Sequence, residues 1–330
     1  MILTRTPYRI SFFGGGTDYP GWYCNEGGVV ISTSIDKYCY INCRHLPPFF
    51  DHKYRIVYSA IENVMDPSEI QHPSVREVLR YMNCDQGLEI HHDGDLPARS
   101  GLGSSSSFTV GLLHALKALK GEQVCHESLA RMAIHVEQNL IKESVGSQDQ
   151  VAAAYGGFNR IDFHRNGDFS VAPIILPNTR LEHLQDHLML FFTGFSRIAS
   201  EIAQSQIQNI SARHSELSQI MQMADDALSI LQSSDSLDDF GALLHEGWCL
   251  KKTLSNRISN PDLDHIYAAA RSAGAMGGKL LGAGGGGFML FFVKPELQHQ
   301  VHECLRDLIH VPFRFENSGS RVVLYQPNGF

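Results

Sequence analysis

Apolar residues recur along this chain in two rhythms. Residues 8–13 form a short apolar-rich run that stops at Gly14-Gly15-Gly16. Residues 29–44 interleave β-branched and aromatic residues with polar ones. Both predict strand, the second as one long strand or a hairpin, with Leu46-Pro47-Pro48 as its break. After Ser107 the period lengthens, and Leu112, Leu113, Leu116 and Leu119 fall on one side of a helix that Gly121 ends. A further helix is predicted over about 127–143, with Leu129, Met132, Ala133, Val136 and Leu140 as its buried stripe. A small-residue segment follows at 151–157. The composition shifts near Asn178-Thr179, so residues 1–177 and 178–330 are read as two domains. Beyond that point Ala203, Ile207, Ile210, Leu217, Met221, Ala224, Leu228 and Leu231 mark one long amphipathic helix or two in succession. Another helix precedes Gly274. Lys279-Leu280-Leu281 then runs into the glycines of 282–287, and 288–293 reads as a buried strand. Strands near 311–315 and 322–325 close the chain, Pro312 restricting the first to an edge. Helices and strands mix in both halves without a βαβ repeat, which favours α+β over a doubly wound sheet.

Composition narrows the function classes. The 330 residues exceed the usual size of one core. The 43% hydrophobic and 19% charged content is that of a folded soluble protein. A formal charge of −8 argues against a nucleic-acid partner. The apolar stretch 280–293 is glycine-broken and too short to span a bilayer. Residues 1–11 carry two arginines and no long apolar core, so neither a membrane segment nor a signal peptide is read. Seven cysteines without a Cys-x-x-Cys pair fit the reduced thiols of a cytoplasmic protein. The 17 histidines are scattered without metal-ligand spacing.

Candidate chemistry begins with Gly101-Leu102-Gly103-Ser104-Ser105-Ser106-Ser107 opening a helix. Glycines let backbone N–H groups converge, a helix N-terminus supplies unpaired donors and partial positive charge, and serine hydroxyls add donors and a Mg²⁺ ligand: together a phosphate cradle. The bland alternative is a Gly/Ser linker that caps a helix. Glu137 projects along a buried stripe, where a carboxylate is costly unless paired or bound to a cation; the alternative is a stripe-edge Glu reaching water. Asp149 follows a loop and precedes small residues, so it is placed either to accept a hydroxyl proton or to cap a helix. Arg9 lies within a strand, and Asp18 just past a glycine turn that it could simply cap. The run 282–287 holds more glycine than a hairpin needs, which marks close approach by a ligand or another backbone.

The order of these segments carries more than any one of them. Arg9-x₄-Gly14-Gly15-Gly16-Thr17-Asp18, then Pro97-x₃-Gly101-Leu102-Gly103-Ser104-Ser105, then Glu137 and Asp149, then Gly282-Ala283-Gly284-Gly285-Gly286-Gly287, resembles the GHMP kinase superfamily over nearly the whole chain. The resemblance implies an N-terminal domain like ribosomal protein S5 domain 2, a ferredoxin-like C-terminal domain, and ATP and acceptor in the cleft between them. It implies that Pro97, Arg99 and Gly101 to Ser107 (Ser104, Ser105 and Ser106 between them) hold the ATP phosphates, and that Ser105 and Glu137 hold Mg²⁺. It makes Asp149 the catalytic base with Arg9 as its partner, and assigns the acceptor to Gly15, Gly16, Thr17, Asp18, Arg197, Gly284 and Gly285. Galactokinases of this superfamily carry Gly-Glu-His-Thr-Asp where this chain has Gly14-Gly15-Gly16-Thr17-Asp18. That form, with Ser34-Ile35-Asp36-Lys37-Tyr38, Gln148-Asp149-Gln150, Ser196-Arg197 and Lys279-Leu280-Leu281-Gly282-Ala283-Gly284, resembles the heptose 7-phosphate kinase branch. The branch implies anomeric phosphorylation of a sugar phosphate, with Arg197 and Lys37 as candidate partners of its 7-phosphate. The alternatives are another sugar 1-kinase, acting on L-fucose or galactose, and a sensor that binds sugar and ATP without turnover. The expected partners are thus small molecules, and the sequence leaves a homodimer open.

Overall fold

β1 (Ile2–Phe13) is fully buried over its second half, and it pairs antiparallel with β2 (Gly28–His45), one continuous 18-residue strand. The computed structural model describes residues 1–98, 100–194 and 199–327. β3 (Tyr54–Val57), β4 (Ile61–Val64), β5 (Leu88–Gly94), β6 (Phe158–Phe163) and β7 (Phe169–Pro173) extend this first sheet. The chain then passes to a second sheet built from β8 (Leu188–Phe192), β9 (Ala275–Leu280), β10 (Phe288–Val293) and β11 (Ile309–His310). It returns at the end, where β12 (Phe315–Glu316) pairs with β2 and β13 (Arg321–Tyr325) pairs with β1. The first sheet runs β13-β1-β2-β5-β3-β4, with β6 and β12 on other stretches of β2. The second runs β11-β8-β10-β9, all antiparallel. This is the fourth-first-third-second order of a ferredoxin-like unit. The fold is α+β, with two sheets each backed by helices.

Three features place the site. The helix Ser104–Leu119 lies on β1 and β2 and buries Leu112, Leu113, Ala115 and Leu116, so its N-terminus sits beside the middle of β1. The predicted helix over 127–143 breaks its own period. It is α-helical at His126–His135 and π-helical at Val136–Ile141, and it ends at Lys142 in the left-handed region (φ 63°). Glu137 keeps the inward place that the α-helical period gives it, and the wider turn is felt after it, where Leu140 of the expected stripe is only half-buried. Finally, Phe12 of β1 meets Phe158, Phe240 and Phe315 edge-on at 5.6–6.4 Å, so one strand is packed against both sheets' layers at their junction. The long apolar pattern after 199 resolves into two helices, Ala199–Asn209 and His214–Gln232, joined by a 3₁₀ turn. The strand expected over 311–315 is instead two short pieces on either side of Pro312, one in each sheet.

Candidate functional site

Arg9 leaves β1 with its guanidinium almost fully enclosed (side chain 4% exposed) and meets Asp149 two-pronged: Nε donates to Oδ1 at 2.8 Å and Nη2 to Oδ2 at 2.9 Å. Its remaining arm, Nη1, donates to the carbonyl of Gly101 at 2.8 Å. The arginine's own backbone N–H donates to Leu102 O at 3.0 Å. One residue therefore docks the Gly101–Ser107 loop onto β1 and holds the carboxylate at the start of the helix Gln148–Tyr155. Asp149 keeps a free face: its side chain is 27% exposed, and each oxygen accepts only one of these bonds, so lone pairs remain for a further donor.

The serine-rich loop ends in Gly103, the left-handed cap (φ 76°) of the helix Ser104–Leu119. A Cβ there would lie 3.3 Å from Arg9 Cγ and 3.5 Å from the Asp149 carboxylate. The N–H end of this helix thus opens directly beside the ion pair, where a helix dipole favours an anion. Ser107 is turned away, its hydroxyl donating to Pro7 O at 2.9 Å, and Ser100 bonds Pro97 O at 2.7 Å. Gly101 has φ 86°, and a Cβ on it would sit 2.4 Å from Leu281 O in the third glycine segment. Because that neighbour is backbone, it cannot swing aside. Gly101→Ala should therefore cost more than about 2 kcal/mol, read as a lowered urea midpoint at unchanged slope.

Glu137 is wholly buried. One carboxylate oxygen accepts from Ser106 Oγ at 2.8 Å and from Gln150 Nε2, while the other, Oε1, has no partner. Burial pushes this carboxyl up to about 7, against the pull of the hydrogen bonds from Gln150 and Ser106. An orphaned carboxylate oxygen beside a serine hydroxyl suits a hard cation, and the partner serine is Ser106. Ser105 faces outward and offers its carbonyl to Thr109.

The Gly14–Asp18 turn is sewn shut by its own side chains. Thr17 Oγ1 donates to Gly14 O at 2.8 Å and accepts from Val29 N–H at 3.1 Å. Asp18 is 2% exposed; it accepts from Gly16 N–H (2.9 Å) and Gln148 N–H (3.3 Å), tying the turn to the loop that carries Asp149. Burial pushes its carboxyl above the usual range, partly offset by these bonds. Gly146 passes so close that a Cβ would overlap Asp18 Oδ2. The space beside Gly15 is different. It is bounded by Ser11 Oγ and the Gln148 amide, and both Ser11 Oγ and Gln148 Oε1 are buried without a hydrogen-bond partner. In the third segment Gly284 and Gly285 press against backbone, Gly285 N–H donating to Ile258 O at 3.0 Å. Among the described residues no three His, Cys, Asp or Glu side chains converge as a metal cluster, and no helix is long and apolar enough to cross a membrane.

Comparison with known proteins decides the family. The GHMP kinases N terminal domain matches residues 68–157 and the GHMP kinases C terminal domain matches 227–310. A D-glycero-alpha-D-manno-heptose 7-phosphate kinase of Campylobacter jejuni is 31% identical over 92% of this chain and 93% of its own length. The chain belongs to the GHMP kinase family. Among solved structures, a D-glycero-D-manno-heptose 1-phosphate kinase from Bacteroides thetaiotaomicron superposes with TM-score 0.77 at 25% identity, covering 97% of this chain and 98% of that one. An L-fucokinase/L-fucose-1-P guanylyltransferase of Bacteroides fragilis is 25% identical over 93% of this chain but only 36% of its own length. The protein is accordingly an ATP-dependent GHMP kinase.

In this GHMP kinase, Arg9, Gly101, Gly103, Ser106, Glu137 and Asp149 come together in one place, although up to 140 residues separate them in sequence. Arg99 and Arg197 lie outside the described residues. Lys37 is occupied by its neighbour Asp36, 3.1 Å away. Two lysines to which the sequence assigned no role also stand at the site: Lys279, whose Nζ donates to Phe12 O at 2.7 Å, and Lys251, whose Nζ donates to Leu280 O and Gly282 O. Lys279 was visible within the third motif. Lys251, in an amphipathic helix beside Lys252, gave no signal.

Proposed function

We propose that this GHMP kinase transfers the γ-phosphate of ATP to the anomeric hydroxyl of a sugar phosphate, D-glycero-D-manno-heptose 7-phosphate, giving the 1,7-bisphosphate and ADP. The observation that carries the reading is the contact between Gly103, the helix cap, and the Arg9–Asp149 pair: anion cradle and carboxylate share one wall. The triphosphate lies along the N–H groups of Gly101 to Ser107, with its γ-phosphorus toward Asp149. The acceptor hydroxyl gives its proton to Asp149 as its oxygen bonds to phosphorus and the bond to ADP breaks. Arg9 orients the carboxylate and neutralises charge beside the transferred group. Glu137, with the adjacent serine hydroxyl, would hold Mg²⁺, which supplies charge neutralisation on the phosphates. The buried, unpartnered Ser11 Oγ and Gln148 Oε1 suit a polyhydroxylated acceptor, because leaving them unpaired is costly. Similarity over 92% of the chain to a heptose 7-phosphate kinase supports this choice of sugar.

Phosphorus NMR of the purified protein with Mg-ATP and a panel of free sugars and sugar phosphates tests this. A new anomeric phosphate resonance with the heptose 7-phosphate, and none with L-fucose or galactose, is expected. An anomeric signal from a free hexose alone transfers the assignment to another sugar 1-kinase, and no product with any acceptor makes the chain a binding protein.

A further inference from the structure

We propose that Lys251 and Lys279 form a binding site for the phosphate that the acceptor already carries, so that this pair selects phosphorylated over free sugars. The inference rests on the sugar-phosphate reading above and adds the residues that would enforce it.

Lys279 projects from β9 and Lys251 from the helix Asp238–Thr253, and both line one cavity whose wall runs from Phe12, Phe13, Gly14 and Gly15 to the apolar side chains of Ile220, Met223 and Leu244. Neither is ion-paired with a carboxylate among the described residues; their partners are the carbonyls of Phe12, Leu280 and Gly282. The nearest acid contributing attraction is Asp18, whose two carboxylate oxygens already accept from Gly16 and Gln148 N–H. Taking an ammonium out of water costs several kcal/mol unless an anion meets it. Both side chains are half-buried, and the resulting desolvation, with repulsion from Arg9 and for Lys279 also from Lys251, pushes Lys251 down to about 8 and Lys279 well below the ordinary lysine range. An ammonium has three N–H donors. Lys279 spends one and Lys251 two, which leaves three donors without a protein acceptor among the described residues, in a protein of net charge −8.

The anion that fits is a phosphate, and the lining says whose. The cavity wall includes Gly14 and Gly15 of the acceptor turn and no residue of the Gly101–Ser107 loop, so the nucleotide's phosphates have their own donors elsewhere.

The test compares D-glycero-D-manno-heptose 7-phosphate with dephosphorylated heptose as acceptors for wild type, Lys251→Met, Lys279→Met and Lys279→Arg. In the methionine variants the kcat/KM ratio of phosphorylated to free acceptor should fall by roughly 30- to 100-fold, the size expected for losing a charged hydrogen bond. The fall should come through the acceptor KM, and Lys279→Arg should recover part of it. A rise confined to the ATP KM, or an equal loss for both acceptors, overturns the proposal. Titration calorimetry of inorganic phosphate into the full chain, with a non-hydrolysable ATP analogue filling the nucleotide site, needs no turnover and no variant. Phosphate binding that is competitive with the acceptor supports the pair, and no binding refutes it. If neither heptose is phosphorylated but phosphate still binds and the methionine variants abolish that binding, the sugar assignment fails while the anion site stands.

Discussion

Asp149→Asn should lower the single-turnover rate of phosphoryl transfer by about 10²–10⁴-fold, the usual worth of a positioned general base, while ATP still binds. The Arg9 guanidinium has only donors, and both carboxylate oxygens of Asp149 accept from it. An amide offers one acceptor and one N–H, so one prong becomes donor against donor and the side chain loses its fixed orientation as well as its basicity. Arg9→Met should be as damaging to turnover and worse for stability, by about 3–5 kcal/mol, because it strands a carboxylate within the wall of the site. Quench-flow rates alongside nucleotide affinity separate the two effects. Turnover of Asp149→Asn at the wild-type rate would remove Asp149 as the proton acceptor.

The second large effect is on pH and magnesium. Burial holds the Glu137 carboxyl at about 7 against an ordinary 4.5. A carboxyl raised in the folded state is protonated there while the unfolded chain has already ionised it, so the fold binds the extra proton between these values. Its contribution is fully present below about pH 4.5 and is lost as pH rises through about 7. The total is about 3 kcal/mol, at 1.36 kcal/mol per pKa unit. In EDTA, the melting temperature of wild type should therefore fall between pH 5 and pH 8 more steeply than that of Glu137→Gln. Mg²⁺ with an ATP analogue should restore wild type at pH 8, since a cation stabilises the ionised form, and should restore the variant far less. Calorimetric scans of both proteins across this range check the claim; parallel pH profiles would show that Glu137 is not the group responsible.

What the sequence disclosed, and what it withheld, divides by range. The loop that opens Ser104–Leu119 was legible because its signal is local: glycines, serines, then a 3.6-residue period. The 18-residue strand and the buried strand Phe288–Val293 were legible for the same reason. The pairing of Arg9 with Asp149 was not in any local pattern; it entered through resemblance, since topology alone brings those positions together. The resemblance gave Ser105 beside Glu137; that the serine bonded to Glu137 is Ser106 depends on helical phase at a cap, which composition does not encode. The π turn was hidden because 127–143 satisfies an α-helical period on paper, which places Glu137 inward correctly but Leu140 too deep. Lys251 was hidden by statistics: a lysine on a helix reads as solvated, whereas this one turns its ammonium in to the carbonyls of Leu280 and Gly282.

The order in which the strands are made differs from the order in which they pair. β13 closes against β1 and β12 against β2, so residues 315–325 finish a sheet begun by residues 2–13, and everything from β8 to β11 is looped out between them. During synthesis, then, the ferredoxin-like unit can condense while its neighbour still has an open flank on β1. Arg9 stands on that unfinished strand. The competence of the enzyme is thereby tied to residues 315–325, and a nascent chain cut short of them carries every catalytic side chain on an incomplete platform.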